Sequence, residues 1–483
     1  MSKQDWERLA VLGTDKKRFS EQQRKQLTAW GIVSSSSEQA LLQALAIVHK
    51  QHEAGFKPRV TDGKISPAPP ETRYSMNMKS TGVLHKLVGT GNLYLVAELL
   101  QRAIHDNQRL SEYLLTDLMA LGIEKKMLFP LVQQLLGERG KWLARLNPEW
   151  SVYLAHEREE IDWELASKEE RRQLIGRLRA SAPALAIEWL TRTWPEESAK
   201  DKAAYLQLLH QGISETDEPF LLQCLEERSK YVRQEALSLL ARIPEGSYST
   251  ELKRALVNNL QVKQSARNSR MAFSMSGFTE QLKLKGEQQS REALKRTNPA
   301  YWLEATGLEA GELIRLLLND RELLNNLAAA AVLHRHQAML SALLLQVTNW
   351  QPEALVQVST AITPHFAQPV LTKLINRGKM EAFTPAQSGF GLLMYGEKLV
   401  VPSGGARKLA RLIIEALNEM HRDMHLLLEK LPYRFPASQY HQLEDVFVDG
   451  RVSHYYYRNA VRQVKEILML RKEIHDSFTE HGK

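Results

Sequence analysis

Apolar positions recur at helical spacing along most of the chain, and proline and glycine fall between the apolar segments rather than inside them. Residues 5–12 and 21–30 have the pattern of short helices, and the serines before "EQALLQALAIV" offer an N-cap for a helix starting near Glu38. Between residues 167 and 243 five amphipathic segments follow one another: "SKEERRQLIGRLRA", "PALAIEWLTRTW", "SAKDKAAYLQLLHQGI", "DEPFLLQCLEE" and "SKYVRQEALSLLARI". Connections this short make consecutive helices antiparallel neighbours. Residues 57–82 break the pattern with four prolines and scattered polar residues, as a linker or long surface loop does. "SGFGLLMYGEKLVVPSGG", residues 388–405, has the pattern of a short β-hairpin near 390–402, with Gly396 at its turn and Leu399 to Val401 as an apolar strand. The expectation is an all-α chain of antiparallel hairpins. Its parts are an N-terminal helical segment (1–56), a proline-rich linker or loop (57–82), a helical-repeat region (83–262), a basic mobile insertion (263–297) and a C-terminal helical-repeat region (298–483).

The sharpest hairpin is "DEPFLLQCLEERSKYVRQEALSLLARIP", residues 217–244. Asp217 is placed to cap the first helix, Pro219 falls in the first turn where its missing N–H costs nothing, and Leu221, Cys224 and Leu225 share a face. Ser229 is placed to cap the second helix, in which Val232, Ala236, Leu239, Leu240 and Ile243 form one stripe ended by Pro244. A hairpin of this size cannot bury both stripes by itself, so neighbours must stack on either side.

The order proline, helix, acidic turn, Val-Arg, then mixed small and large apolar residues resembles a HEAT-type repeat. That resemblance implies an inter-repeat ladder between a turn acid and the arginine after valine, here Glu227 and Arg233, with Glu standing where the repeat usually has Asp. "AGELIRLLLNDRELLNNLAAAAVL" repeats the plan more loosely, and no strict period runs through the chain, so the expected fold is an irregular HEAT-like α-solenoid. "GTDKKRF", the block from "WPEESAKDKAAYLQLLHQGI" to "LLARIPEGSY", and "NPAYWLEATGL" resemble an uncharacterised bacterial family. Its members are encoded beside a MoxR-type AAA ATPase, a von Willebrand factor A protein and a SWIM zinc-finger protein. The resemblance implies the helical-repeat component of a multiprotein ATPase system, with those two proteins as partners and no catalytic residues to carry over.

Composition narrows the chemistry. One cysteine, Cys224, excludes an intrachain disulfide framework and any multi-thiolate metal site, and points to a reducing compartment. The apolar runs are far too short to span a bilayer and the N-terminus has no signal-type apolar core, so a soluble cytoplasmic protein without membrane attachment is expected. A net charge of +8 permits an acidic partner without demanding one. The basic excess concentrates in residues 263–296, where Lys263, Arg267, Arg270, Lys283, Lys285, Arg291, Lys295 and Arg296 face only Glu280, Glu287 and Glu292. That segment is the candidate basic interaction surface.

No motif carries a reaction. His421 and His425 in "HRDMH" have a helical metal-chelating spacing but no third ligand, and "HRH" at 334–336 puts its imidazoles on different faces. "GTGN" (89–92) and "SGGARK" (403–408) lack the lysine–hydroxyl ending and the flanking strand of a phosphate loop. Cys224 lies on an apolar stripe, the tryptophans at 150, 163, 189, 194 and 302 read as hairpin packing, and "SHYYYRNAVRQVK" (453–465) mixes aromatic and basic residues on a terminal helix. No catalytic, cofactor-binding or metal residue is therefore assigned. The expected function is a non-enzymatic scaffold or substrate adaptor; the alternative is a nucleic-acid-binding HEAT-like solenoid of the DNA-glycosylase kind, which requires a continuous basic groove.

Overall fold

The computed structural model describes residues 18–54, 66–157, 166–263, 270–419 and 423–478, with Trp6, residues 9–11, Thr14 and Trp163 besides. The chain divides into two compact units, Met1–Pro69 and Pro70–Lys483. In the first, Ser20 caps the helix Glu21–Ala29 in a reciprocal box with Gln23. Ser36 of the serine run accepts the Glu38 and Gln39 N–H groups to start the helix Ser37–Ala54. Their apolar faces close on Trp6, Leu9, Leu27 and Ala44, with Trp30 tilted on Trp6 at 5.6 Å between ring centres.

The second unit is built from helices in two layers. Short connections reverse the chain after each helix, so each helix packs beside the one two places on. Lys168–Ser181, Ala199–Leu208 and Lys230–Leu240 lie side by side in one such layer. Further along, Ala310–Leu317, Gln337–Gln346 and Pro364–Arg377 form one row, and Arg321–Leu333, Pro352–Ala361, Ser388–Tyr395, Met424–Lys430 and Tyr455–Asp476 the other. The fold is all-α apart from one small hairpin. The stripe Val232, Ala236, Leu239, Leu240 and Ile243 is buried throughout, as its helical spacing requires.

That β-hairpin pairs Leu260–Lys263 with Arg270–Phe273, not residues near 390–402. There the chain forms the helix Ser388–Tyr395, and Leu399 and Val401 are buried in an irregular extended run, the Val401 N–H donating to the Arg434 carbonyl at 2.7 Å. The apolar run "FGLLMY" fits either period, and glycine decides between them. A Cβ on Gly391 would stand 2.5 Å from Leu355 Cδ1 and one on Gly389 2.5 Å from the Ala382 carbonyl, so these glycines let a helix settle tightly into the core.

The basic insertion is also folded where it is described. Ser274 caps Met275–Gln281, Phe278 is fully buried beside Phe273, and Glu287–Leu294 adds Ala293 and Leu294 to the main core. The proline-rich linker ends earlier than expected: residues 57–65 lie outside the described residues, and by Glu71 the chain is tied down. The Glu71 carboxylate accepts the Glu138 and Arg139 N–H groups at 2.9 and 3.0 Å, at the start of the helix Gly137–Leu146. Helix Met78–Thr90 then begins inside the stretch expected to be loop.

The block formed by residues 76–153 completes its core with the C-terminal end of the chain. Ile474 and Phe478 are buried in it, Arg471 Nε donates to both oxygens of Glu98 at 2.7 and 2.9 Å, Lys86 pairs with Glu473 at 2.8 Å, and Asn77 donates to the Ser477 carbonyl at 3.0 Å.

Candidate ligand groove

The C-terminal turns of successive helices converge on one groove of about 690 Å³. Gln207 and Leu208 end Ala199–Leu208, Arg242 follows Lys230–Leu240, and Leu333 and Arg335 lie at the end of Arg321–Leu333. Thr360 and Ala361 end Pro352–Ala361, and Glu397 stands beyond Ser388–Tyr395. Helix C-termini expose carbonyl groups and the negative end of the helix dipole, which explains why arginine and histidine collect there.

Arg242 is the centre of this arrangement. Its Nη1 donates to the His210 carbonyl at 3.1 Å and to His210 Nδ1, while His210 Nε2 meets Glu235 Oε1 at 2.8 Å. A guanidinium cannot accept, so Nδ1 carries no proton and Nε2–H donates to Glu235. Glu235, through His210, thereby fixes Arg242, leaving Nε and Nη2 without a protein acceptor among the described residues. Burial, and then the nearby charge of Arg335, pull the Arg242 guanidinium below its usual range. Arg335 is exposed, holds a left-handed φ of 48°, and has no carboxylate partner among the described residues. Behind the groove, burial pushes His334 down to about 4, and its Nε2–H donates to the Arg296 carbonyl at 2.8 Å. His336 Nδ1 accepts the Met339 N–H and caps the next helix. Leu208, Val332 and Leu333 give the lining an apolar strip beside the amides of Gln207, Gln211 and Gln357.

The residues singled out from the sequence lie elsewhere. Glu227 does bridge to the preceding hairpin, but its carboxylate takes Lys202 Nζ at 2.6 Å and Trp194 Nε1 at 3.0 Å. Arg233 instead donates to the Glu227 and Arg228 carbonyls of its own turn, so the two do not form the expected side-chain ladder. Asp217 caps no helix by its side chain. It is fully buried, receives both Nη groups of Arg179 at 2.9 Å, and accepts the Ser214 N–H. Ser229 occupies the N-cap position of its helix without a side-chain cap bond.

Of the basic segment, Arg267 and the side chains of Lys263 and Arg270 lie outside the described residues. Lys283 and Lys285 are exposed, Arg291 pairs with Glu287 and Glu322, and Lys295 pairs with Glu292. Arg296 is buried, donating to Gln234 and Ser238. None of the described ones lines the groove. His421 also lies outside the described residues, among which no group of three metal-ligating side chains occurs. "GTGN" is a turn between helices, with Gly91 as left-handed cap and Asn92 capping the next helix. In "SGGARK", Arg407 pairs with Asp445 and Lys408 donates to the Asn376 carbonyl at 3.1 Å. Burial pushes the Cys224 thiol up to about 12, so it offers no thiolate at neutral pH. Trp302 is buried and donates to Thr297, and Trp194 packs edge-on against Phe220, whereas Tyr455 and Tyr456 are exposed.

Sequence reasoning missed His210, Arg242 and Arg335. The available signal was a basic residue one or two positions past the end of an apolar stripe, recurring at successive hairpins, a pattern that follows from helix C-termini rather than from any motif.

These features define an all-α helical-repeat protein with a binding groove at its helix ends. Residues 5–478 match the family of unknown function DUF5691, and the chain belongs to that family. No curated protein matches it. Among the described residues no helix is long and apolar enough to cross a membrane.

Proposed function

We propose that the chain is a non-enzymatic scaffold or substrate adaptor that holds a protein partner along its helix-end groove. The observation that supports this reading best is the mixed lining: two arginines, one glutamate, several amides and an apolar strip share one surface. Protein interfaces combine such groups, with an apolar centre and arginine among the enriched residues. A groove for a nucleic-acid backbone needs a track of cations instead. Both ring nitrogens of His210 are committed, which removes the one imidazole–carboxylate pair of the groove from service as a general base.

In the cell we place this adaptor in the cytoplasm, in a multiprotein system with a MoxR-type AAA ATPase and a von Willebrand A protein, on the strength of the resemblance carried by residues 194–248. The test is binding of the purified full chain to each of these two proteins, measured by biolayer interferometry at low and high salt after nuclease treatment. Nuclease-resistant binding that survives high salt is expected. Binding only of nucleic acid, lost as salt rises, overturns the reading.

A further inference from the structure

We infer that the groove is an acidic-peptide site, in which Arg242 and Arg335 together receive a carboxylate of the partner while Leu208, Val332 and Leu333 take a neighbouring apolar side chain. This rests on the adaptor reading and names the chemistry of the bound segment. Three observations carry it. Arg242 and Arg335 face one groove without a carboxylate of the chain to neutralise either, and the free N–H groups of Arg242 are those its His210 contacts leave over. Arginine's planar fork matches a carboxylate with two parallel bonds. The Glu235–His210 pair holds Arg242 before any ligand arrives, so ordering it costs little on binding.

The rest of the lining selects a peptide over a polyanion. Several helices present their C-terminal ends here, and carbonyl groups with the negative end of the dipole disfavour a chain of phosphates. The same carbonyls, with the Gln207, Gln211 and Gln357 amides, suit the N–H and C=O groups of a peptide backbone. The apolar strip lies beside the arginines, so the segment pairs an Asp or Glu with a Leu, Ile, Val or Phe close by. Arg242 and Arg335 are the ligand contacts; His210 and Glu235 are positioning residues.

The experiment pans a displayed random heptapeptide library on the full chain and measures enriched, fluorescein-labelled peptides by polarisation against wild type, Arg242→Glu and Arg335→Glu. Enrichment of peptides with an acidic residue beside an apolar one is expected, with affinity falling roughly tenfold or more on either reversal. A Lys-for-Glu change in the peptide is expected to regain affinity for Arg242→Glu. Arg335 is exposed, so its variant decides the matter should Arg242→Glu fail to fold. Enriched peptides without acidic residues, bound equally by all three proteins, overturn the acidic anchor and leave the adaptor reading standing. Failure to enrich any peptide overturns the inference. If single-stranded DNA of about 20 nucleotides then binds wild type and is lost on charge reversal, the adaptor reading falls with it.

Discussion

Arg179 and Asp217 are both fully buried, yet every N–H of the guanidinium has an acceptor: Asp217 takes two, and the Gln211 and Gly212 carbonyls at 3.1 and 2.9 Å take others. Removing one partner strands the other's charge away from water. Asp217→Ala is therefore expected to lower stability by about 3–5 kcal/mol, read as the urea midpoint, whereas Arg179→Met with Asp217→Leu costs clearly less. A loss for the double variant as large as for Asp217→Ala would contradict this account. His334 makes a pH prediction. Its folded value of about 4 lies below the ordinary 6.5, so the unfolded chain takes up its proton first as pH falls. The stabilising contribution is complete above about pH 6.5 and is lost progressively down to about pH 4. Roughly 1–3 kcal/mol of the acid-side slope is expected to disappear in His334→Asn, measured by urea unfolding from pH 7 to 4.

Between elements, a regularity emerges that the sequence conceals. Arg179 reaches the Gln211 carbonyl, Arg242 the His210 carbonyl, Arg377 the Leu345 carbonyl and Lys408 the Asn376 carbonyl, each across 32 residues. Basic side chains thus satisfy orphan carbonyls at neighbouring helix ends, and this takes the place of the expected Glu227–Arg233 ladder. Helical stripes such as Val232 to Ile243 were legible because burial imposes a period on residue type. The ladder was not, because its acceptors are backbone atoms that any residue supplies. The same reason hides the groove, which is built from helix ends distant in sequence. Charge density misled at residues 263–297 because the apolar positions that anchor the segment, Phe278 and Leu294, are sparse among lysines and arginines. Phe278→Ala is expected to cost about 3–5 kcal/mol and to open the segment to trypsin at Lys283 and Lys285. Unchanged stability and cleavage would mean that the insertion does not belong to the core.

Across the whole second unit, the contact of Arg471 with Glu98 spans 373 positions of the chain. Ile474 and Phe478 supply apolar surface that the 76–153 block otherwise lacks. A chain ending before Tyr455 is expected to lose amide hydrogen-exchange protection in Met78–Thr90 and Leu93–His105, although both helices remain in the protein. Protection retained in those helices would show that the block is stable without its C-terminal partner. The groove residues lie between these ends in sequence, so peptide binding is expected to weaken in the same truncated chain only if closure of the unit also orders the repeats between.

That closure sets a timetable for synthesis. The early helices of the unit leave the ribosome with Leu84, Leu95 and Leu99 still missing the neighbours that Ile474 and Phe478 provide. At about 5–20 residues per second the wait lasts roughly 20–75 s. A nascent chain in that interval presents an incomplete apolar surface, and holding chaperones have that long to find it.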